Sequence, residues 1–324
     1  MNNQTTITFV IPHRGRVELL KKTVASIVSQ ADITNTLTIE VVVVTQNSDL
    51  SLDIRNLSEL RKLRIISGDP SVTISALRNT GVAMSESEHL AFIDADMELS
   101  ADWAASMIKE LSIDSRRIIV SAHERMPDNP TALEKIRVLL NNQSTDTTVP
   151  FLTGRNLFLR RESFDRIGGF PEHLITAEDY FFTAKASQLG TLFISSQAWA
   201  IHLGEDKNFG EMFTKEIWRS RSNFQSIKNR HVPLSELPSL VAPLLIASAI
   251  PATVAIFFAA LPPILFLIPA GFLFLPVMAY SIRCYRICGH DVSIAMIVVF
   301  YCTYFAARGV GVYRGIVDLI KSTR

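Results

Sequence analysis

The sequence predicts an α/β protein in which a Rossmann-like, mostly parallel sheet is followed by a hydrophobic helical region. Three observations support this prediction. Short apolar runs alternate with amphipathic segments through the first two thirds of the chain, and polar residues follow directly after several of these runs. The 46 residues between Glu236 and Arg283 contain no Asp, Glu, Lys or Arg. Strands that alternate with helices are typical of a parallel sheet covered on both faces.

Four runs have the length and the β-branched composition of buried parallel strands. They are residues 7–12 (ITFVIP), 38–45 (TIEVVVVT), 63–66 and 90–93 (LAFI). Apolar residues at helical spacing predict helices over residues 17–30 and 74–84, which lie between successive runs. The first part of the chain therefore has the strand–helix alternation of a doubly wound fold.

Polar residues follow three of these runs. Arg14 and Arg16 follow the first run, Gln46–Asp49 follow the second, and Asp94–Asp96 follow the fourth. Open parallel sheets bind ligands at the carboxyl ends of their strands. The sequence therefore predicts a binding site built from these three segments.

The remainder of the N-terminal part has a mixed pattern. A polar loop is predicted over residues 141–148. Helices are predicted over residues 101–111, 161–167 and 175–188, and strands over residues 117–122, 151–160 and 192–202. A last helix at about 209–230 mixes aromatic with basic residues, which suits a position at the membrane interface.

Asp94 and Asp96 flank a small residue at the end of a hydrophobic run. Two carboxylates at this spacing can point to the same side and share one divalent cation. Mg²⁺ and Mn²⁺ favour a few carboxylates together with substrate phosphate oxygens. An Asp-x-Asp sequence is also common in solvated loops, so this pair alone leaves both interpretations open.

Five motifs resemble those of glycosyltransferase family 2, and they stand in that family's order and spacing. They are VIPHRGR (10–16), EVVVVTQNSD (40–49), LRNTG (77–81), FIDADMELS (92–100) and TGRNLFLRRESFDRIGGF (153–170) followed by AED (177–179). The resemblance covers residues 7 to about 220. It implies a GT-A fold and the transfer of a sugar from a nucleotide-sugar donor.

The resemblance also implies roles for particular residues. Asp96 would bind a cation that bridges the donor's diphosphate, while Asp94 would assist it or hold the ribose. Arg78 would lie against the nucleotide. Asp179 would be the general base for the acceptor hydroxyl, with Glu178 as the other catalytic carboxylate. An inverting transfer needs one base opposite a leaving diphosphate that a cation stabilises.

Two of these assignments have structural alternatives. An acidic pair such as Glu178-Asp179 is also favoured at a helix start by the helix dipole. By the same resemblance His202, at the end of the last predicted strand, would be a further metal ligand, whereas a lone histidine in that position is often structural.

The predicted donor site departs from the family's usual second motif. Acidic residues usually follow the second strand, and this chain has Thr45-Gln46-Asn47 there. Gln46 could present a donor and an acceptor to uracil. The VIPHRGR motif is similar to that of β-1,4-galactosyltransferases, which implies a UDP-linked donor in contact with Pro12, Arg14 and Arg16. A solvated turn is the alternative for the two arginines.

The resemblance places four residues on the acceptor side, namely Gly154, Asn156, Trp218 and Arg219. The last two lie where processive relatives carry a Gln-x-x-Arg-Trp motif. Here the Trp precedes the Arg and the Gln is missing, so the sequence does not support processive polymer synthesis.

The region from residue 237 has the composition of a membrane anchor. It carries six Lys/Arg and two Asp/Glu, whereas residues 1–236 carry 26 and 29. Because a span needs about 20 apolar residues, hydrophobic helices are predicted at about 240–258 and 261–280. A third, at 292–312, is either a span or an interfacial helix. A buried hairpin of a soluble protein is disfavoured, since soluble helices seldom lack a charged face for so long.

Charge predicts the orientation of this anchor. Basic residues lie beyond the outer ends of the predicted hairpin, namely Lys228, Arg230, Arg283 and Arg286, whereas the turn near Pro262-Pro263 has none. Positive charge marks the cytoplasmic side. The protein is therefore predicted to be a multi-pass cell-membrane protein whose catalytic domain faces the cytoplasm.

Together these features predict a membrane-bound inverting glycosyltransferase that depends on Mg²⁺ or Mn²⁺. It would move a sugar from a nucleotide-sugar donor to a lipid-linked or cell-envelope glycan acceptor. Transfer to a polyprenyl phosphate and an inactive GT-A-fold membrane scaffold remain alternatives. The net charge of +1 gives no support for a nucleic-acid partner. The predicted partners are the donor, the acceptor and membrane lipids.

Overall fold

The computed structural model describes residues 5–33, 37–48, 63–221 and 237–322. The chain forms two compact units, Met1–Asp128 with Ser144–Glu205, and Asn129–Gln143 with Asp206–Arg324. The sequence predicted a single division after residue 236. In the structure the helix that begins at Phe209 belongs instead with the hydrophobic helices. Its predicted extension over 222–230 lies outside the described residues.

The first unit is an α/β domain built on one mixed sheet, so the predicted fold class is confirmed. Within the described residues the sheet has nine strands, ordered β3-β2-β1-β4-β8-β6-β9-β5 with β7 paired to β9. The strands are Thr5–His13 (β1), Leu37–Thr45 (β2), Leu63–Ser67 (β3), His89–Ile93 (β4), Met97–Leu99 (β5), Arg117–Glu124 (β6), Thr147–Val149 (β7), Asn156–Arg160 (β8) and Thr191–His202 (β9).

Helices connect these strands and cover both faces of the sheet. They are Val17–Ile33 (α1), Ile74–Ala83 (α2), Trp103–Ile113 (α3), Arg161–Ile167 (α5) and Glu178–Ala186 (α6). Strands β3, β2, β1 and β4 lie side by side in this order and are all parallel, whereas β8 runs antiparallel to β4. A buried strand has the same apolar pattern in either direction, which is why the sequence predicted a more parallel sheet than the structure has.

The core holds the central strands rigidly beneath the predicted site. Successive side chains of a strand point to opposite faces. Phe9 of β1 therefore packs with Trp103 of α3 on one face, while Val10 joins a second cluster with Phe92 and Phe182 on the other. This burial fixes the carboxyl ends of β1 and β4, where the predicted site residues follow.

The second unit is helical. It contains Ala132–Asn141 (α4), Phe209–Arg221 (α7), Leu237–Phe258 (α8), a short 3-10 turn at Pro263–Phe266, Leu267–Cys288 (α9) and Ile294–Ser322 (α10). Within the described residues, three segments are long and apolar enough to cross a membrane, namely Val241–Phe258, Pro263–Cys288 and Ile294–Asp318. Their positions agree with the three predicted hydrophobic helices.

The last helix packs differently from the two before it. α10 contributes Phe300, Tyr301 and Phe305 to a buried cluster that also contains Ile136 of α4 and Met212 of α7. α10 therefore packs against α4 and α7, and the same cluster contains Ala242 of α8 and Cys284 of α9.

α10 also contacts both helices of the preceding hairpin. The Tyr313 hydroxyl of α10 donates a hydrogen bond to the carbonyl of Ala247 in α8. The Tyr280 ring of α9 lies 5.6 Å from that of Tyr301 and 5.1 Å from that of Phe305, between ring centroids. Ala247 lies at the middle of α8, and Tyr280 lies in the half of α9 that is remote from the connecting turn.

Candidate active site

The carboxyl ends of β1, β2 and β4 meet at one edge of the sheet, because the three strands are parallel neighbours. Gly15, with φ +92°, follows β1. Its N–H donates to Asn47 Oδ1 at 2.9 Å, and Asn47 Nδ2 donates to the Gly15 carbonyl at 3.0 Å. This reciprocal pair ties the loop after β1 to the end of β2. Arg14 and Arg16 are exposed on that loop, whereas Pro12 is buried in β1.

A buried arginine joins the other predicted segments. Arg78 of α2 is 1% exposed. Its Nη1 donates to Glu178 Oε1 at 2.9 Å and its Nη2 donates to Asp94 Oδ1 at 2.9 Å. Nη2 also donates to the Gly154 carbonyl at 3.2 Å, and the guanidinium lies 5.0 Å from the ring centroid of Phe170. The rigid fork of a guanidinium can hold several groups at fixed angles, so Arg78 sets the relative positions of these segments.

Asp179 is held beside this network by the backbone. The Gly154 N–H donates to Asp179 Oδ2 at 3.1 Å. A Cβ on Gly154 would lie 3.0 Å from Asp179 Cβ and 3.1 Å from Arg78 Nη2, so a larger residue would push these groups apart. Ala177, with φ +62°, starts α6 in a left-handed conformation that is uncommon outside glycine. Asp179 is half-buried and Glu178 is buried, so a substrate can reach Asp179 more readily.

A second cluster surrounds Asp96. Arg16 Nη2 donates to Asp96 Oδ2 at 3.0 Å, and His202 Nε2 lies 3.4 Å from the same oxygen. His202 Nδ1 lies 3.0 Å from Glu205 Oε2. Arg155 Nη1 lies 2.8 Å from His202 Nδ1. The cluster thus joins the end of β4 to the end of β9.

These contacts shift the pKa values of three groups. Burial raises the pKa of Asp96, but hydrogen bonding to His202 and the charge of Arg16 outweigh it, so the pKa is lowered. Burial lowers the pKa of His202, but its hydrogen bonds to Asp96 and Glu205 raise it to about 9. Burial and the nearby charge of Asp179 raise the pKa of Glu178. Asp96 is therefore an ionised carboxylate that attracts positive charge.

Asp96 and His202 could supply two ligand atoms to a divalent cation. Among the described residues, no group of three or more His, Cys, Asp or Glu side chains is arranged to hold a metal. Asp96 Oδ2 and His202 Nε2 are 3.4 Å apart. Adjacent ligands of an octahedral cation at about 2.1 Å would be about 3 Å apart, so the pair can fill two positions once His202 releases its Nε2 proton to the solvent, and the other positions are left to phosphate and water. Asp94 Oδ1, also predicted to bind metal, accepts a hydrogen bond from Arg78 instead.

The side chain of Gln46 is partly engaged within the protein. Its Nε2 donates to the carbonyls of Asp69 and Val72 at 3.1 and 2.9 Å. We predicted that Gln46 would offer both a donor and an acceptor to a base. Since the donor group already makes two hydrogen bonds, Oε1 is the atom that a base would meet.

The structure assigns Asn156 to the core. It is 2% exposed. Its Nδ2 donates to the Ala122 carbonyl at 2.8 Å and its Oδ1 accepts from Trp103 Nε1 at 3.1 Å. This placement conflicts with the predicted acceptor role, because both amide atoms are buried and engaged. Trp218 and Arg219, also predicted on the acceptor side, lie on α7 in the second unit, where Trp218 is exposed.

Sequence reasoning missed Arg155 and Glu205. Arg155 Nε donates to Glu124 Oε1 at 2.8 Å, which anchors it beside His202. Glu205 follows His202 by three residues, and Arg155 adjoins Gly154 in a motif that we had already selected. A search for charged residues within three positions of each predicted site residue would therefore have identified Arg155 and Glu205.

Comparisons with known proteins agree with this architecture. Residues 8–168 match the model of the family described as Glycosyl transferase family 2. Glycosyltransferase AglE of Haloferax volcanii is 26% identical over 167 residues, which are 50% of this chain and 54% of that protein. The chain therefore spans about half the length of this curated relative.

Two solved structures share the fold. The mannosyltransferase PcManGT from Pyrobaculum calidifontis, in complex with GDP-Man and Mn²⁺, has a TM-score of 0.62 and 17% sequence identity. The aligned region covers 96% of this chain and 87% of the PcManGT chain. GalNAc-T7 with UDP, GalNAc and Mn²⁺ has a TM-score of 0.50 and 16% sequence identity. The aligned region covers 72% of this chain and 53% of the GalNAc-T7 chain. At these identities the likeness shows the fold alone. With the family match, it establishes that this chain carries a glycosyl transferase family 2 domain of GT-A fold.

Proposed function

We propose that this protein is a membrane-bound inverting glycosyltransferase. It would transfer a sugar from a nucleoside diphosphate sugar, with UDP expected as the nucleotide, to a lipid-linked or cell-envelope glycan acceptor. The main support for the proposal is the pair of hydrogen bonds by which Arg78 joins Asp94, at the end of β4, to Glu178 beside Asp179. An inverting transfer needs a group that stabilises the leaving diphosphate and a separate base for the acceptor.

Asp96 and His202 would hold the divalent cation on the donor side. When bound, such a cation stabilises the negative charge that develops on the leaving diphosphate. The Mn²⁺ in the two structural relatives supports this assignment. Arg16, whose Nη2 lies 3.0 Å from Asp96 Oδ2, would add a guanidinium to the same phosphate site.

Asp179 would act as the base. It would take the proton of the acceptor hydroxyl while that oxygen attacks the anomeric carbon and the bond to the diphosphate breaks on the opposite face, which inverts the configuration. The hydrogen bond from the Gly154 N–H would fix the orientation of its carboxylate. Glu178 is buried and paired with Arg78, so we assign it a positioning role.

The second unit would anchor the enzyme. We propose that α8 and α9 cross the membrane as a hairpin whose uncharged turn lies outside the cell, with Arg283 and Arg286 on the cytoplasmic side. α10 packs against α7 and against both helices of the hairpin. We assign α10 an interfacial position rather than a third crossing, because its uncharged run from Val292 to Ala307 is only 16 residues long and is followed by Arg308 and Arg314.

Nucleotide release from a panel of UDP- and GDP-sugars, measured in detergent, tests the proposal. We expect release from one donor to require both a lipid-linked glycan acceptor and Mn²⁺ or Mg²⁺. Asp96→Ala should abolish it and Asp179→Asn should slow it by roughly 10²–10⁴-fold, while Glu162→Gln, which changes an exposed carboxylate in α5, should leave it unchanged. Binding of a nucleotide without acceptor-dependent release from any donor would favour the inactive scaffold instead.

A further inference from the structure

Gly204 lies directly against the Asp96 side chain in the first unit. It is buried, and it follows His202, the last residue of β9, by two positions. The three heavy atoms nearest to a Cβ built on Gly204 all belong to Asp96 and Arg16. Such a Cβ would overlap Asp96 Oδ2 and would lie 2.7 Å from both Asp96 Cγ and Arg16 Nη2. The Asp96 carboxylate therefore occupies the space that any side chain at position 204 would need.

The backbone conformation at position 204 does not itself require glycine. Among the described residues, the glycines with positive φ are Gly15, Gly168, Gly169 and Gly289, so Gly204 has a negative φ. Residues with a side chain readily adopt negative φ. The requirement for glycine at this position therefore comes from the space beside Asp96 rather than from the path of the chain.

The two backbone segments around this contact are tied together. β5 pairs with β9 in antiparallel register, with Met97 opposite His202. The Leu203 N–H donates a hydrogen bond to the Asp96 carbonyl at 2.8 Å. Since these bonds hold the residues next to Asp96 and Gly204, the segments cannot separate without breaking them. A side chain at position 204 would therefore displace the Asp96 carboxylate instead.

The two side chains beside Gly204 differ in their freedom to move. The side chain of Arg16 is 58% exposed, whereas that of Asp96 is 17% exposed. Arg16 can turn into solvent, where an exposed ion pair contributes little to stability. Rotation of the short Asp96 side chain, in contrast, would change its position relative to His202 Nε2, which lies 3.4 Å from Asp96 Oδ2. The contact with Gly204 thus affects the predicted ligand pair more than it affects Arg16.

We propose that Gly204 is a positioning residue for the cation site on the donor side. This inference rests on the proposed function, in which Asp96 and His202 hold that cation. Because position 204 has no side chain, the Asp96 carboxylate can lie beside His202, where one cation can meet both. Residues that orient metal ligands typically contribute about 10–100-fold to metal affinity. Gly204 has this role through the position of Asp96 alone.

Binding of Mn²⁺ to the full-length protein in detergent tests this role without measuring sugar transfer. The electron spin resonance signal of free Mn²⁺ gives the Kd for each variant. We expect Gly204→Ala and Asp96→Ala to weaken Mn²⁺ binding by at least about tenfold. Arg16→Ala should bind Mn²⁺ at least as tightly as wild type, because it removes a positive charge beside Asp96. Gly210→Ala, where a Cβ meets no atom closer than 3.4 Å, should match wild type.

A double-mutant cycle tests the steric contact itself and needs no metal. The Tm would be measured with a chelator for wild type, Gly204→Ala, Asp96→Ala and the variant that carries both substitutions. Gly204→Ala should lower the Tm in the wild-type background but not in the Asp96→Ala background, because the colliding carboxylate is then absent. If Gly204→Ala alone fails to fold, the variant with both substitutions should fold.

The possible results separate the role of Gly204 from the cation site itself. Mn²⁺ binding that is lost in Asp96→Ala and kept in Gly204→Ala would overturn the role of Gly204 and leave the cation site intact. An equal fall in Tm in both backgrounds would also overturn it, since the collision would then involve other atoms. A loss in Arg16→Ala as large as that in Gly204→Ala would assign the effect to Arg16. A wild-type protein that binds no Mn²⁺ would overturn the proposed cation site, and this inference with it.

Discussion

The Asp96 carboxylate attracts two cationic side chains, Arg16 and His202, and we expect metal-dependent donor binding to depend on it. Asp96→Ala should weaken UDP binding in Mn²⁺ by at least about tenfold, since even residues that only support metal ligands are worth that much. Calorimetric titration with Mn²⁺, and with a chelator in its place, measures the effect. Glu162→Gln is the control. Unchanged affinity of Asp96→Ala in Mn²⁺ would show that the metal is held elsewhere.

Asp179 offers a test of chemistry apart from binding. Asp179→Asn keeps an oxygen that can accept the Gly154 N–H but removes the basic carboxylate. We expect kcat to fall by roughly 10²–10⁴-fold, the usual contribution of a general base, with the Kd for the donor nucleotide unchanged. Steady-state transfer kinetics and nucleotide titration measure the two quantities. Normal turnover in this variant would move the base to another carboxylate, of which Glu178 is the first candidate.

For single residues, the sequence suggested which side chains lie near the site but not how they are oriented. Asp96 and His202, distant in sequence, lie 3.4 Å apart, and their shared role as metal ligands stays a prediction. Asn156 was placed in the acceptor site because its motif resembles the family's, yet its amide is buried between Trp103 and Ala122. Which way a side chain turns from a strand end depends on the packing of distant helices, and no local pattern contains that information.

Among the secondary-structure elements, the segment that enters β8 packs closely against two residues of the site. Gly154→Ala would put a Cβ about 3 Å from Asp179 and from Arg78, both already fixed by hydrogen bonds. We expect the free energy of unfolding to fall by about 1–3 kcal/mol, the usual cost of overpacking, and kcat to be lower. Gly210→Ala in α7, where a Cβ meets Asn208 alone at 3.4 Å, is the matched control. Equal Tm and kcat for Gly154→Ala and wild type would contradict this packing.

The strands themselves were largely readable from the sequence. The predicted runs 7–12, 38–45 and 90–93 correspond to β1, β2 and β4, each within a few residues. Their continuous apolar character reflects burial on both faces. The three-residue strands β5 and β7 were missed, because so short a segment carries no periodicity. The helix α4 at Ala132–Asn141 and its packing with the hydrophobic helices were also not predicted, since an amphipathic segment does not reveal its partner.

For the whole molecule, we predict that the α8–α9 hairpin is the membrane anchor and that the C-terminus returns to the cytoplasm. In a variant with Cys284, Cys288 and Cys302 replaced, cysteines are introduced singly at Ala259, Ser112 and Arg314. An impermeant thiol reagent added to intact cells should label position 259, which lies in the turn, and neither of the others. Loops that lack positive charge face outward, which is the reason for this expectation.

Other labelling patterns would contradict that topology in distinct ways. Labelling at 314 together with 259 would require α10 to cross the membrane as a third span. Labelling at 112 would reverse the orientation of the first unit. Release of the protein by alkaline extraction would exclude membrane spans altogether. Permeabilised cells, in which all three positions should react, provide the control for accessibility.

The Arg78 hydrogen bond to Glu178 also has a consequence for folding kinetics. It joins residues that are 100 positions apart in the chain, and the bond from Arg78 to Gly154 spans 76 positions. Contacts with such large sequence separation form late, after the intervening loops have closed. During refolding, helical circular dichroism should therefore recover before nucleotide binding does. A truncated chain that ends before residue 202 would lack the proposed metal ligand His202, so competence to bind donor would report that synthesis has passed β9.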